Sequence, residues 1–190
     1  MGRPGSDLTH IVLTGFMASG KTAVGRTVAR RLGWDFIDLD HFIEAKEGRS
    51  VAEIFSTDGE AAFRDIENRA VVELALERST VLATGGGTFT FERNRKALRE
   101  LGVVVCLVTK LETILERAGR NSKRPLAQGP GADERLASLY EERLPSYRKA
   151  DVLVETEGLT VHGAAARVIA MLAPRLRDAQ RIHDAGHVRL

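Results

Sequence analysis

Gly15-Phe16-Met17-Ala18-Ser19-Gly20-Lys21-Thr22 fits the spacing G-x-x-x-x-G-K-S/T of a phosphate-binding loop, the P-loop. Its surroundings constrain the fold more than the pattern does. The apolar run Ile11-Val12-Leu13 precedes it, and Ala23, Val24, Val28, Ala29 and Leu32 follow at helical spacing. A strand, a glycine loop and a helix in that order let successive backbone N–H groups converge on one phosphate at the positive end of the helix. Lys21 then reaches the β- and γ-phosphates, and the Thr22 hydroxyl is offered to Mg²⁺.

The same alternation runs on along the chain. Short apolar runs at Ile11–Leu13, Phe36–Ile37, Val81–Ala83, Val103–Val108 and Val152–Val154 read as strands. Helical stretches lie between them, at about Lys21–Leu32, Asp40–Glu47, Val51–Phe55, Glu60–Arg78, Arg93–Leu101, Leu111–Ala118, Asp133–Arg148 and Val161–Leu172. The pattern predicts an α/β fold: three layers, αβα, around a central five-stranded parallel sheet. Ligands are then expected at the carboxyl ends of the strands. The 190 residues suit one domain, taken as 1–172. The segment 173–190, rich in Arg, His and Asp, reads as a frayed, disordered extension. Gly119 to Asp133 collects Gly, Pro, Asn, Ser and Gln with several cations and reads as a mobile lid.

A net charge of +2 leaves no footprint of a nucleic-acid or membrane partner. The single cysteine, Cys106, sits inside Val103–Val108 and reads as a buried core thiol, which fits a reducing compartment. The polar start shows no apolar stretch of a signal peptide. A cytoplasmic monomer is expected.

Chemistry-bearing residues gather just after the strands. The second strand runs into Asp38-Leu39-Asp40, and period-two spacing puts both carboxylates on one side if the strand continues. One can hold Mg²⁺ through water while the other binds or deprotonates a hydroxyl; Asp40 also reads as a helix N-cap. The third strand ends in Thr84-Gly85-Gly86-Gly87-Thr88, where glycines allow close backbone approach and free N–H donors. Arg64 and Glu67 are i,i+3 neighbours able to pair. Without context they read as a solvated surface pair; held by Glu67, Arg64 can grip a carboxylate. The lid carries Arg120, Lys123 and Arg124 just after Arg117, and Arg143 lies near a helix end.

These segments together resemble the shikimate kinase family, from about Ile11 to about Leu172. The likeness is carried by Gly15–Thr22, Phe36-Ile37-Asp38-Leu39-Asp40, Ile54-Phe55 with Gly59 and Glu60, Phe63-Arg64-Asp65-Ile66-Glu67, Thr84–Gly87, Arg124-Pro125-Leu126, and Arg143 with Pro145 and Tyr147. The resemblance implies a P-loop kinase with a mobile lid that transfers the γ-phosphoryl of ATP to the 3-hydroxyl of shikimate, on the route to chorismate and the aromatic amino acids. Gly15, Ala18, Ser19, Gly20, Lys21, Thr22 and Ala23 would hold ATP, and Thr22 with Asp38 would position Mg²⁺. Asp40 would grip the acceptor diol, while either Asp38 or Asp40 takes the hydroxyl proton. Arg64 and Arg143 would bind the acceptor carboxylate, with Gly85, Gly86 and Gly87 donating N–H groups and Phe55 and Phe63 lining the ring pocket. Arg124 would swing in toward the phosphates. Either Arg117 or Arg120 would pack on adenine. Two departures stand out: Ala18 replaces the usual glycine, and Thr88-Phe89 follows the three glycines where small or aliphatic residues are common. The rivals are a kinase for another small hydroxy acid such as gluconate, and a nucleotide-binding module without catalysis.

Overall fold

The computed structural model describes residues 9–74, 76, 78–119 and 131–186, with 177–186 as backbone. Strands β1 (His10–Thr14), β2 (Asp35–Asp38), β3 (Thr80–Ala83), β4 (Val103–Val108) and β5 (Val152–Glu155) form a five-stranded sheet in the order β2-β3-β1-β4-β5. Every pairing is parallel; Ile11 lies opposite both Val81 and Val103. The helices are α1 (Lys21–Leu32), α2 (Leu39–Glu47), α3 (Val51–Thr57), α4 (Gly59–Glu73), α5 (Glu92–Leu101), α6 (Leu111–Gly119), α7 (Ala132–Tyr147) and α8 (Val161–Gly186). The α/β architecture read from the alternation is the one observed.

Period two along the strands divides the core. Val12, Leu82, Val104 and Cys106 turn to one face and pack with residues of α2 to α7. Ile11, Leu13, Val81, Val105, Leu107 and Val154 turn to the other and pack with α1 and α8. Both faces are covered, which is why the strands read as unbroken apolar runs. Cys106 is buried as expected, and burial pushes its thiol up to about 12. Helix α1 lies close on the sheet because Gly25 has no side chain. A Cβ there would stand 2.7 Å from the Phe36 ring.

Three expectations are corrected. Strand β2 stops at Asp38, so period-two spacing does not align Asp38 with Asp40. Asp40 belongs to the first turn of α2, and the N-cap is Asp38, whose carboxylate accepts from Asp40 N–H at 3.1 Å. Helix α4 ends at Glu73, short of Arg78, because Leu74 takes an extended conformation and buries its side chain. The extension past Pro174 is not frayed at its start: α8 continues to Gly186. Val168, Leu172 and Leu176, at i,i+4 spacing, carry the stripe facing the core across the proline. The lid residues 120–130 lie outside the described residues.

Candidate functional site

The loop between β1 and α1 is shaped by backbone that most residues avoid. Gly15 has φ +138° and Gly20, the N-cap of α1, has φ +92°. A Cβ at Gly15 would lie 2.7 Å from the Leu107 carbonyl oxygen, so only glycine fits. Ala18 also adopts the left-handed region, with φ +60°. Lys21 is buried in the loop, and its ammonium donates to the carbonyls of Gly15 (3.0 Å) and Phe16 (2.9 Å). The Ser19 hydroxyl is buried without a hydrogen-bond partner among the described residues. An unpartnered hydroxyl beside left-handed backbone at a helix N-terminus suits an incoming phosphate oxygen. Arg117, on α6, donates to the Ala18 carbonyl at 3.3 Å and so borders the loop.

Across the loop, Thr22 Oγ1 donates to Asp38 Oδ2 at 2.7 Å. A hydroxyl and a carboxylate side by side form a hard oxygen set of the kind Mg²⁺ takes with phosphates and water. Both Asp38 oxygens are occupied, one by Thr22 and one by Asp40 N–H. The Asp40 carboxyl is raised from 3.8 to about 6, by burial first and by the negative charge of Asp38 second, against the pull of Lys21.

The segment after β3 joins these groups to Arg64. A Cβ on Gly85 would stand 2.8 Å from Asp40 Oδ1, one on Gly86 3.2 Å from the backbone nitrogen of Met17, and one on Gly87 2.7 Å from Arg64 Nη2. Three consecutive residues thus border the Asp40 carboxylate, the phosphate loop and the Arg64 guanidinium. The order β2-β3-β1 causes this, because β3 lies between the strand that ends in Asp38 and the strand that feeds the loop.

Arg64 is not a surface group. Its Nη1 donates to both oxygens of Glu67 at 3.2 Å, while Nε and Nη2 reach Glu60 Oε1 at 3.2 and 3.0 Å. Glu67 is fully buried and also accepts from Thr88 Oγ1 (2.7 Å) and Asn94 Nδ2 (3.3 Å). A buried carboxylate satisfied from three sides is a firm anchor. The guanidinium lies 5.8 Å from the Phe55 ring centroid and 5.2 Å from those of Phe63 and Phe91. Phe55 is set there by α3, whose start is fixed by the Ser50–Glu53 capping box. Phe55 and Phe63 rings stand 4.5 Å apart. On α7, the buried Tyr147 hydroxyl donates to the Gly86 carbonyl. Burial pushes its phenol above the usual range, against the pull of the positive charge and hydrogen bond of Arg143.

Of the expected site residues, the structure brings together Gly15, Ala18, Ser19, Gly20, Lys21, Thr22 and Arg117 on the phosphate side. Asp38, Asp40, Phe55, Phe63 and Arg64 gather around Gly85, Gly86 and Gly87, and Arg143 lies beside Tyr147, whose hydroxyl meets Gly86. Ala23 lies in the first turn of α1. Arg120 and Arg124 lie outside the described residues.

The shikimate kinase family model matches residues 17–173. The shikimate kinase of Thermodesulfovibrio yellowstonii is 43% identical over 162 residues, 85% of this chain and 94% of that protein. That of Moorella thermoacetica is 47% identical over 149 residues, 78% of this chain and 86% of that one. The chain belongs to the shikimate kinase family. Among solved structures, the shikimate kinase from Acinetobacter baumannii in complex with shikimate superposes with a TM-score of 0.82 at 38% identity, covering 87% of this chain and 93% of that one. Membership in the shikimate kinase family makes the chain a kinase that uses ATP.

Three residues of this shikimate kinase fold were outside the expected site set. Glu67 was legible as a partner of Arg64 but not as a buried hub, because burial depends on α5 covering it. Tyr147 was among the residues that carry the family likeness but was given no role. Phe91 had no signal. Thr88 and Phe89, which follow the three glycines, are both fully buried, whereas Phe91 is 37% exposed.

Proposed function

We propose that this chain transfers the γ-phosphoryl group of ATP to the 3-hydroxyl of shikimate, giving shikimate 3-phosphate and ADP. The observation that carries the reading is the Gly85–Gly87 segment, which touches Asp40, the phosphate loop and Arg64 in turn. A hydroxyl acceptor with a carboxylate a few ångströms away fits that spacing. The relatives named above add the acceptor's identity.

In this reading the amides of Gly15–Ala23 and the Lys21 ammonium cradle the phosphates. Thr22 and Asp38 would hold Mg²⁺, which supplies charge neutralisation at the phosphates when bound. Arg64 and Arg143 grip the acceptor carboxylate, Phe55 and Phe63 flank the ring, and the glycine N–H groups fix its approach. The acceptor oxygen forms its bond to γ-phosphorus as the bond to the β,γ-bridging oxygen breaks; ADP leaves, and the hydroxyl proton passes to a carboxylate. Asp40 is the better acceptor of that proton, because both oxygens of Asp38 already accept hydrogen bonds. Most of the rate then comes from positioning and preorganised charge. The same reading gives Arg124 a role near the phosphates and leaves adenine to Arg117 or Arg120. The contact of Arg117 with the loop supports the first of these.

We read the protein as a cytoplasmic monomer acting on small molecules, one domain over 1–172 with 173–190 as its extension. Near-neutral charge supports the absence of a nucleic-acid partner. Among the described residues no helix is long and apolar enough to cross a membrane. A coupled ADP-release assay with ATP, Mg²⁺ and a panel of shikimate, quinate and gluconate tests the reading. Turnover confined to shikimate supports it, and a preference for gluconate overturns it.

A further inference from the structure

Phe91 breaks a local rule. It is the N-cap of α5, with φ −86° and ψ 130°, and no side-chain hydrogen bond closes the helix start. Asp, Asn, Ser and Thr serve that position, and an aromatic ring does not. The ring is also more than a third exposed. A residue that neither caps its helix nor fills the core is kept for another reason.

The surroundings supply one. The Phe91 ring centroid lies 5.2 Å from Cζ of Arg64, as close as that of the buried Phe63. Phe91 directly follows the turn Thr88–Thr90, which is bound to the Arg64 anchor through Thr88 and Glu67. Arg95 fixes the same turn from below by donating to the Phe89 and Thr90 carbonyls. The turn that carries Phe91 is therefore held against α4 through Thr88 and against α5 through Arg95, and the ring is delivered onto the guanidinium. Glu60 and Glu67 hold the nitrogens of Arg64; the rings hold its faces and exclude water from them.

We propose that Phe91 is a positioning residue of the acceptor site. Its ring presents Arg64 to the acceptor's carboxylate and so sets affinity for anionic acceptors. The inference rests on the reading of Arg64 as the carboxylate grip.

The test compares Phe91→Ser, Phe91→Leu and Phe91→Tyr with the unmodified chain. Loss of a cation–π contact predicts a rise in KM for shikimate of roughly 3- to 30-fold in the Ser and Leu variants. Their kcat and KM for ATP stay unchanged, and Phe91→Tyr restores the original KM. Phe91→Ser also gains an N-cap, so its melting temperature stays within about 3 °C of the parent despite the lost ring. A merely structural role would lower stability and leave the split between KM and kcat untouched. In an Arg64→Ala background the Phe91→Ser change should add nothing to KM. An unchanged KM in Phe91→Ser, or an equal rise with and without Arg64, overturns the inference while shikimate turnover by the parent stands. If the parent does not phosphorylate shikimate, the underlying reading fails and the inference falls with it.

Discussion

Thr22, in the first turn of α1, donates a hydrogen bond from its hydroxyl to Asp38 at the end of β2 at 2.7 Å. The contact locks the two groups proposed to hold Mg²⁺ before any metal arrives. It also makes their roles separable, because Asp38 both carries charge and caps α2. Asp38→Asn keeps an N-cap acceptor while removing the charge. We expect its melting temperature to move by less than about 3 °C, since Asn and Asp cap equally well. The Mg²⁺ concentration for half-maximal activity should rise about tenfold or more, as a hard cation loses its anionic oxygen. A Mg²⁺ titration of initial rate checks this, and an unshifted midpoint removes Asp38 from the metal site.

Asp40 gives a pH signature of defined sign. Its folded value is about 6 against 3.8 in the unfolded chain. The folded protein thus holds a proton that the unfolded chain releases between those values, so stability falls as pH rises through that window. The full penalty, on the order of 3 kcal/mol, is present above about pH 6. Asp40→Asn should therefore be more stable than the parent at neutral pH and lose that advantage in acid. Its kcat should drop by roughly 10²- to 10⁴-fold for want of a proton acceptor. In the parent, kcat/KM should fall as pH drops through about 6. Melting curves and rate profiles from the same pH series are the check. A rate profile flat across that region means the proton goes elsewhere.

Glu67 is buried with three donors on its carboxylate. Glu67→Gln leaves an acceptor for Thr88 but strips the charge that faces Arg64. A hydrogen bond to a charged group contributes roughly 1.5–3 kcal/mol, so the variant should melt about 3–10 °C lower. Shikimate KM should rise with it, because Arg64 is left to the exposed Glu60. Arg143→Ala, at a residue that pairs with no buried carboxylate among the described residues, should weaken shikimate in calorimetry with little change in melting. Normal shikimate binding by both variants would take the carboxylate off these residues.

The architecture was legible because the sheet is buried on both faces. Parallel strands such as Val103–Val108 must then be apolar throughout, and each one is separated from the next by an amphipathic helix. The phosphate loop was legible because its chemistry is local in sequence. What failed was information that crosses the sheet. Nothing in Asp38-Leu39-Asp40 reveals that Gly85 will stop against Asp40; that follows from β3 lying next to β2. Nor does the i,i+3 spacing of Arg64 and Glu67 reveal burial, since Thr88 and Asn94 close over Glu67 from later in the chain. Phe91 was invisible for the same reason: its ring meets Arg64 only because α5 packs on α4.

Ala18 stands where its methyl group is least welcome. At φ +60° an L-residue suffers a steric cost of roughly 1–2 kcal/mol that glycine avoids. The loop around it is held regardless, by the Ser19 N–H to Phe16 carbonyl contact at 3.3 Å and by Arg117 on the Ala18 carbonyl. Ala18→Gly should relieve the strain but loosen the unfolded chain, a counter-effect of about 0.4–1 kcal/mol. The net expectation is a gain of up to about 1 kcal/mol, or about 2–4 °C in melting temperature. Ala18→Val tests the other direction. A β-branched side chain in the left-handed region is an outlier, so this variant should melt lower and bind ATP more weakly as the loop shifts. Calorimetric melts of the two variants, with ATP titrations beside them, decide the matter. If Gly lowers the melting temperature and Val leaves it unchanged, the left-handed conformation at Ala18 is not a strained one.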